Sequence, residues 1–391
     1  MIERILEKKL KQLVTKFPVV SVTGPRQSGK TTLLKNALKK YEYTNLEDPE
    51  TRLFAEKDPR GFLSGHDHLI IDEIQRVPEL FSYIQVISDE KNNSGQFILS
   101  GSQSFLLSQH ISQSLAGRIG ILNLLPFSQI ELNKAGIDSN APEKLILKGF
   151  YPRLYDKDID PADFYPGYIQ TYVERDVRLL QNVHNLNLFI RFMKLCAGRT
   201  GQLLNLSSLA SDCGISVNTA KSWISLLETS FVIFLLQPDH VNFNKRLVKM
   251  PKLYFHDTGL ACSLLEIQDI KQLESHYLKG GLFENFILSE FLKHRFNQGL
   301  ANNCSFWRDN KGVEIDCVIH LPGKSLGIEI KSGKTFNTDF ISNLQYWQKL
   351  FGKKMPELFL IYGGNSSRKA LNTEILSWKD ISSLLDRISK D

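Results

Sequence analysis

The sequence lacks the usual marks of a secreted, zinc-binding or membrane-spanning protein. Its five cysteines are odd in number and contain no CxxC pair, which argues against a disulfide framework and a zinc knuckle. The nine histidines show no HxxxH or HExxH spacing, so zinc chemistry has no support. The longest apolar run, Phe231 to Leu236, is far shorter than the roughly 20 residues of a membrane-spanning helix.

Charge of one sign is not in excess either. The 391 residues include 48 Lys and Arg against 42 Asp and Glu, for a net charge of +6. This balance permits a nucleic-acid partner but does not argue for one, because binding surfaces come from local clusters. The 42% of hydrophobic residues excludes wholesale disorder, and the length allows about two or three domains.

The first segment, MIERILEKKLKQLV, spaces its apolar residues as a helix does and places charges between them. A secretory signal needs an uninterrupted apolar stretch instead. We therefore expect a surface helix of a cytoplasmic protein that does not associate with membranes.

Short apolar runs bounded by turn residues alternate with segments of helical spacing. The runs at 19–24, 69–72, 96–100 and 119–124 are typical of buried strands. Strands that alternate with helices predict an α/β fold with a parallel sheet covered on both faces. The pattern ends near Leu132 and is followed by mostly helical and then mixed segments. The predicted regions are an α/β domain at 1–133, a helical connector at 134–200, a winged-helix-like module at 201–275 and a small α/β domain at 276–391.

Residues 24–31 read GPRQSGKT and fit the phosphate-binding pattern GxxxxGK[ST]. A predicted strand precedes this loop and a predicted helix follows it, as the pattern requires. Gly24 and Gly29 let the backbone N–H groups face phosphate oxygens at a helix N-terminus. Lys30 then reaches the β- and γ-phosphates, and Thr31 offers its hydroxyl to Mg²⁺.

The apolar strand LIIDEIQ ends in two adjacent carboxylates, about 40 residues after the loop. Asp72 is expected to hold Mg²⁺ through its water shell, and Glu73 to polarise the attacking water. The next strand ends in Ser100, Ser102 and Gln103, which either contact the γ-phosphate side or form only a polar turn. The predicted nucleotide contacts are Gly24, Pro25, Arg26, Gln27, Ser28, Gly29, Lys30, Thr31, Thr32, Asp72 and Ser102.

Arg118 lies in a turn flanked by Gly117 and Gly120, directly before the strand at 119–124. An arginine there does not reach its own nucleotide but can reach a neighbouring subunit's nucleotide across an interface. Such an arginine finger raises the rate by about 10³–10⁵. The alternative is an ordinary surface arginine.

The motifs GPRQSGKT, LIIDEIQ, FILSGSQSFLL and SLAGRIGILNLLPFSQIEL follow one another in an order that resembles a family of prokaryotic AAA-superfamily P-loop ATPases. That family carries a C-terminal domain of unknown function 4143, and YVERDVR, LYFHDTGLA, GLFENFILSEF and WRDNKGVEIDCVI match it further along the chain. The resemblance implies a cytoplasmic ATPase that uses ATP and Mg²⁺ and assembles into a ring or another homo-oligomer. It also implies a winged helix and a nuclease-like fold behind the ATPase domain.

Residues 206–228 resemble a helix-turn-helix unit, which needs small residues where its helices cross. Ala210, Gly214 and Ala220 have that spacing, and Ser216 is placed to cap the second helix. The polar positions of that helix include only one charge, whereas a DNA-reading helix usually brings several phosphate-binding cations. DNA binding and packing against the ATPase domain therefore both remain open.

The C-terminal region resembles a PD-(D/E)xK nuclease. Asp316 lies on one predicted strand, Glu329 and Lys331 lie on one face of the next, and Glu284 lies on the preceding helix. In such sites the carboxylates hold a divalent metal, here Glu284, Asp316 and Glu329, and the lysine positions water. The alternatives are a strand pair with exposed charges, or a nuclease fold that only binds nucleic acid or protein partners.

Together these motifs predict a Mg²⁺-dependent ATPase that moves its C-terminal modules on DNA, with Glu73 and Arg118 as catalytic residues. The first alternative is a nucleotide-controlled scaffold that binds protein partners with little turnover. The second is an ATP-gated, metal-dependent nuclease.

Overall fold

The computed structural model describes residues 2–91, 93–102, 114–172, 185–239, 248–351 and 356–389. Its first domain is built on a parallel five-stranded sheet in the order β2-β3-β4-β1-β5. This confirms the predicted α/β fold, although the edge strand β2 was not predicted. The strands are β1 Val19–Thr23, β2 Glu42–Asn45, β3 Leu69–Asp72, β4 Phe97–Gly101 and β5 Ile119–Asn123.

Helices cover both faces of this sheet, because successive strand residues point to opposite sides. Ile70 and Ile98 pack on one face with Leu34, whereas Ile71 and Leu99 pack on the other face with the helices that follow β2 and β3. Apolar runs that are buried on both faces are what a parallel sheet requires. The helices of this domain are α1 Leu6–Val14, α2 Lys30–Ala37, α3 Pro49–Lys57, α4 Pro59–Leu63 and α5 Leu80–Lys91.

A helical region follows the sheet, and a tight turn at residues 214–216 joins two of its helices. Gly214, at φ 77°, ends the first of them, and the Ser216 hydroxyl accepts a hydrogen bond from the Thr219 N–H at 3.0 Å to cap the second. An antiparallel strand pair comes next. The elements are α6 Gln129–Lys134, α7 Pro142–Lys148, α8 Pro152–Asp156, α9 Pro161–Tyr172, α10 Leu186–Ala197, α11 Leu206–Cys213, α12 Val217–Thr229, β6 Ile233–Leu236, β7 Lys252–Phe255, α13 Thr258–Leu264 and α14 Ile270–Ser275.

The C-terminal region is a mixed six-stranded sheet in the order β12-β13-β11-β10-β9-β8. The predicted hairpin around the turn at 309–312 joins β8 and β9, which pair antiparallel. The elements are α15 Lys279–Asn297, β8 Cys304–Arg308, β9 Glu314–Leu321, β10 Lys324–Lys331, α16 Ser342–Leu350, β11 Glu357–Tyr362, β12 Arg368–Ala370, β13 Thr373–Ser377 and α17 Ile381–Ser389.

The helix α15 lies at the centre of the molecule. It is buried on every side and packs against β5, β7, β10 and α7, as expected for a helix without a solvent-facing stripe. One hydrophobic core extends from Leu125 to Ile388, so the regions behind the five-stranded sheet are packed as one body. Within the described ranges, no helix has both the length and the apolar character that crossing a membrane demands.

The connector at 237–246, whose polar sequence QPDHVNFNKR is typical of an exposed wing tip, is only partly described, since residues 240–247 lie outside the described ranges. Asp239, just before them, is buried and accepts a 3.0 Å hydrogen bond from His320 Nε2 of β9. The start of this connector is therefore attached to the C-terminal sheet rather than exposed.

Candidate functional site

The glycine-bounded loop connects the end of β1 to the start of α2. Gly24 adopts φ 153°, and a Cβ there would lie 2.1 Å from the Leu124 carbonyl oxygen. Gly29 adopts φ 92°, in the left-handed region, directly before the first residue of the helix. Only glycine fits both positions, so these residues give the loop its tight path around the helix N-terminus.

Lys30 places its ammonium group at the mouth of this loop. Its Nζ donates to the carbonyl oxygens of Gly24 and Pro25, both at 2.9 Å, and the residue is only 7% exposed. The Ser28 hydroxyl in the same loop is buried without a hydrogen-bond partner among the described residues. The loop thus offers a buried cation and an unsatisfied hydroxyl, which suits an incoming phosphate.

Asp72, at the end of β3, is surrounded by neutral donors. The Thr31 hydroxyl donates to its Oδ2 at 2.6 Å and the Tyr43 hydroxyl donates to the same oxygen at 2.9 Å. The Ser100 hydroxyl and the Glu73 N–H donate to Oδ1. None of these donors carries a charge, so these hydrogen bonds orient the carboxylate without forming an ion pair with it. The structure brings Thr31 and Asp72 together, and their hydroxyl and carboxylate oxygens are of the kind that Mg²⁺ prefers.

Glu73 follows in the left-handed backbone region, at φ 55°. Its Oε2 accepts a hydrogen bond from Gln75 Nε2 at 2.5 Å, and the Ser102 hydroxyl lies 3.4 Å from the same oxygen. Burial raises the pKa of Glu73, although the positive charges of Lys30 and Arg26 act in the opposite direction. This carboxyl group is therefore held near the phosphate-binding loop with an enhanced affinity for a proton.

The remaining predicted contacts lie around these groups. Arg26 is 4.0 Å from a Glu47 carboxylate oxygen, and Gln27 and Thr32 are exposed beside the loop. Gln103 lies outside the described residues. Sequence reasoning missed Tyr43, because its strand β2 lies at the sheet edge and lacks a buried apolar run.

Arg4 is a further residue that the sequence did not single out. Its guanidinium donates to the Ser28 carbonyl at 2.7 Å and to the Leu125 carbonyl at 2.6 Å, and it pairs with Glu131 at 3.1 Å. Glu131 also closes the capping box of α6 with Ser128. This arginine joins the glycine-bounded loop to the first helix behind the five-stranded sheet.

Arg118 lies at the amino ends of the parallel strands, whereas the phosphate-binding loop lies at their carboxyl ends. Its carbonyl oxygen accepts from the N–H of Val19, the first residue of β1, at 3.3 Å, whereas the loop follows the last residue. The five residues of β5 separate the amino and carboxyl ends of the strands by roughly 16 Å. The side chain is 35% exposed and pairs with Asp89 of α5. It does not face the nucleotide site of its own chain.

The four residues of the predicted nuclease-type site converge where α15, β9 and β10 meet. Asp316 Oδ2 accepts from the Ile330 N–H at 2.8 Å and from Lys331 Nζ at 3.1 Å. Lys331 also donates to Glu329 at 2.5 Å. Burial raises the pKa of Glu284 to about 7, so the environment of this carboxyl group disfavours its charged form.

A fifth residue, Lys252 from β7, enters this cluster and was not predicted. Its Nζ lies 3.0 Å from Glu284 Oε1 and 2.5 Å from Glu314 Oε1. The Tyr254 hydroxyl donates to the same Glu284 oxygen. No sequence signal marked this lysine, because it lies in an apolar strand far along the chain from Asp316.

The predicted metal ligands do not form a metal-binding group in this structure. Across the described ranges there is no set of three or more His, Cys, Asp or Glu side chains arranged to hold a metal ion. The physical reason is that ammonium groups already bind the carboxylate oxygens of Glu284, Asp316 and Glu329. The donor set as folded therefore does not fit a divalent metal.

The helix-turn-helix unit presents the outer face of α12 to solvent. Asn218, Lys221, Ser222 and Ser225 are exposed, whereas Trp223 packs inward against α10 through Phe189 and Phe192. The predicted alternative, in which this face packs against the ATPase domain, does not hold for these residues. The face carries the single cation that the sequence indicated.

Three family models match successive parts of the chain. Residues 16–133 match the family described as an AAA domain, residues 139–271 match a domain of unknown function (DUF8612), and residues 279–381 match a domain of unknown function (DUF4143). The Walker-type ATPase paby2304 of Pyrococcus abyssi is a solved structure that is 15% identical, with a TM-score of 0.46 over 68% of this chain and 96% of that chain.

Two relatives span most of the chain. The uncharacterized protein MJ1544 of Methanocaldococcus jannaschii is 22% identical over 350 residues, which are 81% of this chain and 75% of that protein. The uncharacterized protein Rv2008c of Mycobacterium tuberculosis is 33% identical over 332 residues, which are 84% of this chain and 73% of that protein. With Rv2008c, the chain belongs to a family of AAA-superfamily P-loop ATPases that carry a C-terminal domain of unknown function 4143.

Proposed function

We propose that the protein binds ATP with Mg²⁺ and hydrolyses it at the carboxyl edge of the five-stranded sheet. The observation that carries this proposal is the set of hydroxyl groups around Asp72, which orient its carboxylate beside Thr31 without neutralising it. Carboxylate and hydroxyl oxygens are the protein ligands that Mg²⁺ prefers, and the cation needs their charge.

Each residue then has a separate task. The loop N–H groups and Lys30 hold the phosphates, and Thr31 and Asp72 hold the cation. When bound, Mg²⁺ neutralises charge on the phosphate oxygens. Glu73 accepts a proton from the attacking water, and the raised pKa of this carboxyl group favours that transfer near neutral pH.

Calorimetry with ATP and Mg²⁺ tests nucleotide binding directly. Lys30→Ala removes a charged donor, so binding should weaken about ten- to hundredfold. Lys11→Ala, which removes a surface lysine paired with Glu7, is the matched control and should bind as the wild type does. Absence of a binding signal from folded wild-type protein at millimolar ATP would overturn the proposal.

The active unit in this proposal is a homo-oligomer in which Arg118 acts on the neighbouring subunit's nucleotide. The support is its place at the opposite edge of the sheet, with a partly exposed side chain. Arg118→Ala protein and Lys30→Ala protein should each be inactive alone. Mixing them should restore hydrolysis, since one chain supplies the arginine and the other supplies the intact loop. No recovery in verified mixed oligomers would remove Arg118 from the mechanism.

We further propose that the helix-turn-helix unit and the strand pair β6–β7 act as a winged helix that contacts DNA through the exposed face of α12. The support is that this polar face is open to solvent. Binding of labelled duplex and branched DNA, with and without ATP, should weaken as salt rises. At a given salt concentration, Lys221→Ala should bind DNA more weakly than the wild type. Binding that is absent, or insensitive to salt, in both nucleotide states would remove DNA from the account.

The second candidate function is a nucleotide-controlled switch that binds protein partners. The lone cation on the exposed face of α12 favours it, because DNA-binding helices usually present several cations. Steady-state hydrolysis separates the candidates. A switch binds ATP but shows negligible turnover in both the wild type and Glu73→Gln, whereas an ATPase loses its turnover only in the variant.

A further inference from the structure

The carboxylate cluster of the C-terminal region is built from three parts of the chain. One carboxylate comes from the buried helix α15, two from β9 and one from β10. All are buried or half-buried. The carboxylates are Glu284, Glu314, Asp316 and Glu329.

Within the part of the chain that the structure describes, three cationic side chains contact these four carboxylates. Lys331 contacts Asp316 and Glu329, and Arg308 contacts Glu314 at 3.0 Å. The third cation, Lys252, is the most deeply placed, with a side chain only 3% exposed against 34% for Lys331. Each of the four carboxylates therefore already has a cationic side chain of the protein as its partner.

Lys252 is the only one of the three cations that does not come from the C-terminal sheet. It is the first residue of β7, and its ammonium group bridges Glu284 of α15 and Glu314 of β9. The ammonium group also lies 5.6 Å from the centre of the Phe306 ring. The buried ammonium group therefore has a carboxylate partner on each side, one from α15 and one from β9.

We propose that the Lys252 ammonium group is the resident cation of this cluster, in the place where a nuclease of this shape would need a divalent metal. The lysine joins β7 to the C-terminal sheet, and the cluster serves as a fixed contact between these regions. The module as folded neither takes up a divalent metal nor cleaves nucleic acid. When the lysine is replaced, Glu284 and Glu314 lose their shared ammonium partner and can rearrange with the neighbouring Asp316 to take up a divalent metal.

Mn²⁺ alone is the probe, added to the nucleotide-free, full-length protein and followed by electron paramagnetic resonance. Wild-type protein should show no Mn²⁺ binding that depends on Asp316, so its titration should match that of Asp316→Asn. Lys252→Met retains the apolar stem of the side chain but removes its charge. This variant should gain one Mn²⁺ site, and the double variant with Asp316→Asn should lose that site again.

Lys293→Met is the matched control, since Lys293 is a buried lysine paired with Glu290 at 2.8 Å on the same helix α15. It should gain no Mn²⁺ site. Mn²⁺ binding by the wild type that Asp316→Asn abolishes would overturn the proposal, as would a folded Lys252→Met protein without a new site. If Lys252→Met does not fold, as judged by circular dichroism, the wild-type and Asp316→Asn titrations still decide the outcome.

Discussion

The two carboxylate clusters of the molecule use opposite kinds of partner. Asp72 receives its hydrogen bonds from the hydroxyls of Thr31, Tyr43 and Ser100 and from a backbone N–H, all of them neutral. Asp316, by contrast, receives one of its hydrogen bonds from the Lys331 ammonium group. A carboxylate held by neutral donors is oriented and still charged, whereas one held by an ammonium group is already compensated. The type of donor therefore decides which cluster is open to a metal.

The clusters are nevertheless connected through buried polar contacts. Arg4 joins the phosphate-binding loop to Glu131 of α6, and the N–H of Gln129 at the start of α6 donates to Glu290 Oε2 at 2.8 Å. Glu290 lies on α15, the same helix as Glu284, about 9 Å further along its axis. Buried polar contacts thus link the phosphate-binding loop, through α6, to the helix that carries the second cluster.

The largest expected effect is on the rate of ATP hydrolysis, compared between one carboxylate variant of each cluster. Glu73→Gln removes the proton acceptor and should lower the ATP hydrolysis rate by about 10²–10⁴, while ATP binding stays close to that of the wild type. Glu329→Gln changes a carboxylate of the second cluster in the same way and should leave the rate unchanged. Steady-state phosphate release measures both. Equal losses in the two variants would show that the clusters do not have separate roles.

The next effect concerns stability. Lys252→Met leaves Glu284 and Glu314 buried without their cation, so the free energy of unfolding should fall by about 3 kcal/mol. The exposed pair of Lys11 with Glu7 is the comparison, and Lys11→Met should change stability by less than about 0.5 kcal/mol. Urea denaturation measures both variants. A Lys252→Met protein as stable as the wild type would show that the lysine does not join the two regions.

The parts of the molecule that the sequence predicts are those whose chemistry is local. GPRQSGKT and LIIDEIQ each contain a strand end and the polar groups that follow it within a few residues. The sheet edge then brings the two together, because parallel strands end at a common edge. The same reasoning placed Asp316, Glu329 and Lys331 together, since a hairpin joins their strands.

The parts that the sequence does not predict depend on contacts between distant segments. Tyr43 reaches Asp72 from an edge strand whose residues are mostly half-buried, so no apolar run marks it. Lys252 is a charged residue in a buried strand and would be expected to point outward. Its two carboxylate partners, Glu284 and Glu314, come from later elements that only the fold brings near. The motif of Asp316, Glu329 and Lys331 does not include Lys252. The sequence could therefore not show that a further ammonium group contacts the carboxylates of the second cluster.

A smaller effect is expected from a neutral donor at the first cluster. Tyr43→Phe removes one of the two hydroxyls on Asp72 Oδ2, a hydrogen bond that contributes about 1 kcal/mol. The Mg²⁺ concentration for half-maximal hydrolysis should therefore rise about fivefold, because the carboxylate is less well oriented toward Thr31. Tyr41→Phe is the matched control, since Tyr41 stacks on His68 at 4.6 Å between ring centres instead. An unchanged Mg²⁺ dependence in Tyr43→Phe would show that the hydroxyl does not orient Asp72.

The smallest expected effect is a shift in the pH profile. Burial raises the pKa of Glu73, and the hydrogen bond from Gln75 acts against that rise. Gln75→Leu removes this donor, so the pKa of Glu73 should rise further. Because the base works only when deprotonated, activity is lost as pH falls through this pKa, and the acid limb of the ATPase profile should move to higher pH.

Hydrolysis measured from acid to neutral pH gives the position of that limb for Gln75→Leu. At pH values well above it, the rate of the variant should approach that of the wild type, because Glu73 is then ionised in both proteins. Ser102→Ala is the control, since its hydroxyl lies 3.4 Å from the same Glu73 oxygen and should move the limb less. A limb that stays in place, or moves to lower pH, would mean that Gln75 does not stabilise the ionised carboxylate. Gln75 would then have no effect on the charge of Glu73. The contrast between neutral donors at the first cluster and ammonium donors at the second would depend on Asp72 alone.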